Sequence, residues 1–347
     1  MSLQFGLLWP FRNPEFARVP WEQLYAEHLE LIVASEHLGY DHAWLTEHHF
    51  VDDGYSCSPF TIAGAIAART TRIRIGTFLL LLPLHDPIRV AEDTATVDIL
   101  SAGRFDLGVA LGYRPHELDD QGVPRRERAA RLEEGIEIVQ RLLAGEEVTL
   151  QGRFSDLRAI AITPPPVQRP HPPIWMGGTA PVAVDRVARL GHHFMNGVQV
   201  RTAELYDDAL RRHGRAPHEH HVAAMRPLFV ADTKERAWEI AARPLRAVAA
   251  DYVRWNAEGQ AGVDADELVA ALPTVDDMVR ARAFSFFGEP AIVGTPDDAI
   301  ELVDDHLRRG RMTHFAGMMA LPGVPPDEIR ASMALFAREV VPHFRAG

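Results

Sequence analysis

His42-Ala43-Trp44-Leu45-Thr46-Glu47-His48-His49-Phe50 is a short apolar run of strand character that ends abruptly in a carboxylate and two imidazoles. Imidazole is the side chain whose unperturbed pKa lies near neutrality. A pair at a strand's carboxyl end can therefore offer a proton or a hydrogen-bond donor to a reaction intermediate. The plainer alternative is that both histidines cap a strand and meet solvent. Which holds depends on whether other strand ends carry groups of the same kind.

The same grammar recurs outward from this run: an apolar run, a loop, then a longer segment of helical periodicity. That alternation means parallel strands joined by crossover helices. The strands expected are Gln4 to Trp9, His42 to Thr46, Ile73 to Leu81, Phe105 to Leu111, Ile174 to Met176, His193 to Asn196, His221 to Val230 and Thr313 to Met319. Leu24, Leu31, Ala34 and Leu38 mark one helix face that Gly39 stops, and Leu132, Ile136, Val139 and Leu143 mark another that Gly145 stops. A last helix is expected from Asp327 to about Phe344. Eight parallel strands at this length favour an α/β fold of the closed (β/α)8 TIM-barrel type over an open sheet. Two stretches break the rhythm. Gly152 to Pro173 is too rich in proline for helix and reads as a surface excursion. The segment from about Asp251 to Pro290 reads as helical, acidic and without a strand. It is a helical insertion near strand seven, within a single domain covering residues 1–347.

The 347 residues, 47% of them hydrophobic, can bury a large core. A net charge of -12 argues against nucleic acid or an anionic membrane as the main partner. The single cysteine, Cys57, excludes an internal disulfide, and neither a signal peptide nor an apolar run long enough to span a bilayer is evident. A cytoplasmic protein with small-molecule ligands is expected.

In a TIM barrel the active site lies at the carboxyl ends of the strands. Those ends carry Trp9-Pro10, Glu47-His48-His49, Phe78-Leu79-Leu80, Gly112-Tyr113-Arg114 and Gly177-Gly178-Thr179. Aromatic side chains, imidazoles and glycine-rich turns suit a flat heteroaromatic ring with a phosphate tail. Gly177-Gly178-Thr179 leads into a helical run from Pro181, so free backbone amides there can take the phosphate; an ordinary turn capped by Thr179 is the alternative. Arg128 can supply a guanidinium to the same phosphate, or be one more solvated charge beside Arg125, Arg126 and Arg131. His218, His220 and His221 crowd one loop, a poor arrangement for turning toward one ion, and no metal is expected.

Together these residues resemble the luciferase-like flavin-dependent oxidoreductases. The resemblance covers nearly the whole chain. It is carried by Trp44 to Phe50, Ile75-Gly76-Thr77 with Leu82-Pro83 and His85-Asp86-Pro87, Ala91-Glu92-Asp93, Gly103-Arg104-Phe105 with Gly108 and Gly112-Tyr113, Pro172 to Trp175 with Gly177-Gly178, and the closing Gly294-Thr295-Pro296 and Met333 to Phe344. It implies a TIM barrel with an insertion near strand seven, and a non-proline cis peptide at Phe78-Leu79 against the flavin ring. It implies a catalytic role for His48, flanked by Glu47 and Tyr113, and a substrate pocket reached by Trp9 and His49. The cofactor would rest on Phe78, Leu79 and Gly112, with its phosphate on Arg128, Gly177, Gly178, Thr179 and Ala180. Luciferase has a phosphate-binding arginine at the position aligned with Leu111, so here Arg128 and the amides would stand in.

The resemblance implies a monooxygenase using O2 and reduced FMN. No Gly-x-Gly-x-x-Gly turn follows a strand, which favours flavin delivered by a separate flavin reductase. A branch of the family uses deazaflavin F420 for hydride transfer and tends to carry Ser-Asp-His where this chain has Thr46-Glu47-His48. That branch and a non-catalytic flavin-binding protein are the alternatives. A homodimer through the stripe Ile62, Ile66 and Arg69 is expected, and the insertion, with Phe284, Phe286 and Phe287, is expected to cover the site.

Overall fold

The computed structural model describes residues 2–345. Eight strands close into a barrel: β1 (Gln4–Trp9), β2 (His42–Leu45), β3 (Arg74–Thr77), β4 (Phe105–Val109), β5 (Ile174–Gly177), β6 (His193–Asn196), β7 (Val222–Val230) and β8 (His314–Met318). Every neighbouring pair is parallel, and β8 pairs with β1 to complete the circle. The helices between them form the outer ring. The expected TIM barrel is therefore the fold.

Local chemistry explains the element boundaries. Pro87 opens the helix Pro87–Leu100, and the Asp86 carboxylate accepts from the amides of Ile88 and Arg89. Thr295 and Asp298 form a reciprocal capping box on Pro296–Arg309. Inside the barrel, Trp44 fills the middle. A Cβ on Gly6 would lie 2.7 Å from its indole and one on Gly76 only 2.3 Å, so glycine on both flanking strands makes room for it. Trp44 stacks on His42 on one side, at 4.8 Å, and meets Phe78 edge-on at 6.0 Å on the other. The two mouths of the barrel are thus separated by a buried aromatic plug.

Four sequence expectations need correction. β3 ends at Thr77 rather than Leu81; Leu80 keeps one bridge to Val109, and Pro83 lies in the 3-10 turn Leu82–Leu84. The excursion at 152–173 is preceded and entered by an antiparallel hairpin, Val148–Gln151 with Asp156–Ile160. The stretch read as strandless holds a small hairpin, Ser285–Phe286 with Glu289–Pro290, whose turn residues Phe287 and Gly288 both have positive φ, the geometry of a tight hairpin turn. Its helical part is the end of a long helix, Lys234–Ala257, then Ala265–Ala270 and Val275–Ala281. A further strand, Ile292–Gly294, extends the sheet beside Leu228 to Val230.

The stripe assigned to a dimer surface also moves. Ile62 and Ile66 are buried in the chain's own core, and Arg69 pairs with Glu30. Ile62 and Ile66 thus pack the helix Pro59–Ala67 onto the barrel, and of the stripe only Arg69 remains at the surface.

Candidate active site

At the carboxyl mouth lies a cavity of about 470 Å³. Of the residues expected at the site it is lined by Glu47, His48, Phe78, Leu79, Gly112, Tyr113 and Thr179. Leu8, Leu81, Met225 and Met318 add apolar surface, and Tyr252, Asn256 and Phe287 enter from the long helix and the small hairpin. Phe78-Leu79 is joined by a cis peptide bond, as the resemblance implies.

His48 comes from the end of β2 and is buried. Its Nδ1 lies 2.8 Å from Oε1 of Glu117, which also accepts from the His49 amide at 2.8 Å. Burial opposes ionisation of Glu117, but the hydrogen bond from His48 holds its carboxyl below the ordinary value. With Nδ1–H donating to that carboxylate, Nε2 is the nitrogen left for the cavity. Rings of Tyr55, Tyr113 and Trp255 surround the imidazole at 4.7, 5.6 and 4.9 Å. Sequence reasoning missed Glu117. It stands on the short helix Pro115–Asp120 directly after β4, and the pairing of a strand-end turn with Pro115 was the available signal.

Glu47 plays a different part. Its Oε1 accepts from His49 Nε2 at 3.0 Å and from His85 Nε2 at 2.7 Å, and its Oε2 accepts from the Leu81 amide. Burial alone would raise its pKa, yet these bonds bring it down to about 2, while the bond to Glu47 raises that of His49. Glu47 therefore ties the end of β2 to the turn after β3. The ligand atoms of Glu47, His49 and His85 all lie within 4.8 Å of one another, but their mutual hydrogen bonds close the group.

The remaining expected residues do not line the cavity. Trp9 is fully buried against His28, 6.2 Å away, and does not reach the pocket; His49 turns back to Glu47. Gly177 and Gly178 form the β5 turn. A Cβ on Gly177 would lie 2.2 Å from Leu79 and one on Gly178 2.6 Å from Ala183, so only glycine fits this close approach. The cap of the helix Pro181–Leu190 is Ala180, not Thr179. Arg128 opens the helix Arg128–Leu143; burial first, then Arg125, lowers its pKa.

The cover was only partly legible. Tyr252 and Tyr55 share a hydrogen bond of 2.6 Å, Arg12 joins Asp53 and Asp251, and Arg114 holds Glu258 at 2.8 Å. Trp255 lies under both guanidinium groups, at 5.7 Å from Arg12 and 4.9 Å from Arg114. These contacts pin the end of the long helix over the mouth.

This barrel and site define a luciferase-like TIM-barrel protein. The family model of luciferase-like monooxygenases matches residues 3–314, and the chain belongs to that family. It is 27% identical over 336 residues to 4-hydroxyprotoasukamycin monooxygenase of Streptomyces nodosus subsp. asukaensis, covering 91% of this chain and 86% of that protein. It is 30% identical over 193 residues to the oxygenase component of a flavin-dependent trigonelline monooxygenase of Acinetobacter baylyi, covering 55% and 52%. The crystal structure of monooxygenase RslO1 from Streptomyces bottropensis superposes with a TM-score of 0.82 at 28% identity, over 99% of this chain and all of that one (100%). Two further curated relatives, 34% and 36% identical, are matched over 47% and 46% of their length, so the chain spans about half of them. Chains of the same fold at 20% and 18% identity include one described as coenzyme F420 dependent and one solved with FMN. Among the described residues no helix is long and apolar enough to cross a membrane.

The residues present fit a phosphate-bearing flavin. The Tyr113 hydroxyl and one Nη of Arg128 are buried without a partner among the described residues, and the Gly177-Gly178 turn admits no Cβ beside the wall formed by Leu79.

Proposed function

We propose that the chain is a monooxygenase that uses reduced FMN and O2 to oxidise a small organic substrate, with the flavin supplied by a separate reductase. The observation that carries this reading is His48, on the wall of a cavity rich in aromatic and apolar side chains, with its Nδ1 held 2.8 Å from the buried Glu117 carboxylate. Reduced flavin, when bound, supplies the electrons with which O2 is activated. The chain supplies the surroundings. Phe78, Leu79 and Gly112 give a flat wall, and the amides of Gly177 to Ala180 with Arg128 give a phosphate cradle. His48 Nε2 holds or moves a proton at the substrate, and Tyr113 offers a hydroxyl that burial keeps protonated. Tyr252, Asn256 and Phe287 act as a cover that keeps water from the reacting atoms.

The trigonelline relative is described as an oxygenase component, which supports a separate reductase here. A homodimer in the cytoplasm completes the reading; a mass near 38.6 kDa by light scattering at micromolar concentration would contradict the dimer. Rapid mixing of reduced FMN and the chain with O2 tests the function. The expected result is a course of flavin oxidation different from that of free FMN and changed again in His48→Ala. Hydride transfer from reduced F420 without O2 uptake would instead put the chain in the deazaflavin branch. Binding without any change in flavin oxidation would make it a carrier.

A further inference from the structure

The opposite mouth of the barrel holds a second cluster that the reaction does not use. TIM-barrel interiors are stacked in layers of four side chains from alternate strands, mostly bulky branched aliphatics. The lowest layer from the even strands here is His42, Asp106, His193 and His314, and the odd strands add Gln4, Arg74, Trp175 and, just before β7, His221. All eight line one open cavity of about 480 Å³. A polar floor replaces an aliphatic one.

The imidazoles stand in a row around Trp175. Ring centroids are 4.7 Å apart for His193 and His221, 5.0 Å for His221 and His314, and 5.0 Å for His314 and His42. Imidazoles bound tetrahedrally to one ion through nitrogens at about 2.0–2.1 Å have centroids roughly 5 Å apart. Hydrogen bonding leaves these rings short of partners. His314 Nδ1 faces Thr313 Oγ1 at 2.9 Å and His193 Nδ1 accepts from the His221 amide at 3.2 Å, but Nδ1 of His221 and of the buried His42 have no partner among the described residues. Asp106 adds a carboxylate 3.6 Å from His42 Nε2 and is itself held by Arg74 at 2.7 Å.

We infer that the amino-terminal mouth of the barrel binds a borderline divalent metal ion of the Zn2+ class through the imidazoles of His193, His221 and His314, with the His42–Asp106 pair orienting the set. Nitrogen-rich sites select zinc and its neighbours over magnesium or calcium. As the rings stand, their donor atoms do not converge, since the trio of ligand atoms within 4.8 Å of one another among the described residues is Glu47, His49 and His85; binding would require the three rings to turn about their side-chain bonds, with water from the open cavity completing the shell. The ion would fasten β6, β7 and β8 together, on the far side of Trp44 from the cavity that holds His48.

The test uses the full chain without a histidine tag, stripped by a chelator and titrated with Zn2+ against a chromogenic chelator. One equivalent per chain is expected, with His193→Gln and His314→Gln each weakening it by about tenfold or more. His85→Gln, in the group at the other mouth, is expected to leave zinc affinity unchanged. Zinc should also raise the melting temperature of the unmutated chain, and not that of either floor variant. Should those variants fail to fold, X-ray absorption of the zinc-loaded unmutated chain still decides, since at least two imidazoles in the coordination shell are required. Absence of stoichiometric binding, loss of zinc in His85→Gln, unchanged affinity in folded floor variants, or fewer than two imidazoles would each overturn the inference.

Discussion

The two mouths of this barrel are built from the same residue types and arranged oppositely. At the carboxyl mouth every imidazole near the cavity has a carboxylate: His48 has Glu117, and His49 and His85 share Glu47. At the amino mouth three imidazoles neighbour one another, and the one carboxylate, Asp106, is already engaged by Arg74. The electrostatic consequence is visible in direction. The bond to Glu47 raises the pKa of His49, whereas burial lowers that of His193 and His314. A carboxylate partner prepares an imidazole to carry a proton; a shell of other imidazoles keeps its lone pair free. What a histidine can do is therefore set by what stands next to it, and Trp44 keeps the two environments apart.

The comparison breaks first, if it is wrong, at His48. His48→Ala is expected to lower substrate-coupled turnover by roughly 10²-fold or more, the usual scale for a positioned acid or base, with flavin affinity nearly unchanged. Full retained turnover would remove His48 from the chemistry. Glu117→Gln should lose less, and it should shift the pH profile of turnover; an unchanged profile would show that Glu117 serves structure alone.

Acid stability sharpens the same contrast. The folded pKa of Glu47 is depressed from 4.5 to about 2, so the stability it confers is fully present above about pH 4.5 and is lost as pH falls through that window. The shift corresponds to about 3 kcal/mol. Denaturant titrations of the unmutated chain and Glu47→Gln from pH 6 downward, about one unit at a time, should converge as the pH drops. Curves that stay parallel would mean that Glu47 is not ionised in the way described.

Smaller effects concern the walls. Gly178→Val places side-chain atoms where a Cβ already comes within 2.6 Å of Ala183, and about a tenfold loss of FMN affinity is expected in a titration. Unchanged affinity would move the phosphate elsewhere. The segment 251–290 should gain hydrogen-exchange protection when reduced flavin and substrate bind; equal protection would make it a fixed lid rather than a gate.

The barrel was legible because each strand announces itself as a short apolar run between loops, and β1 and β6 have the limits expected from sequence. His48, Phe78-Leu79 and the Gly177-Gly178 turn were legible as strand ends. Glu117 was not, since a glutamate among the acidic residues of Pro115–Asp120 looks like any solvated helix charge until β4 carries it to His48, 69 positions away in sequence. Arg12, Tyr252 and Glu258 were hidden for the same reason: their partners are set by tertiary approach. The floor was half legible. His42, His193 and His314 each begin a strand, yet only closure of the barrel shows that strand starts far apart in sequence share one layer.

The central claim is that the carboxyl mouth is a site for reduced FMN. Anaerobic titrations of the chain with photoreduced FMN and with reduced F420, run side by side, test it most directly. The account predicts saturable binding of one reduced FMN per chain, tighter than that of F420. Saturable binding of F420 with none of FMN would contradict it.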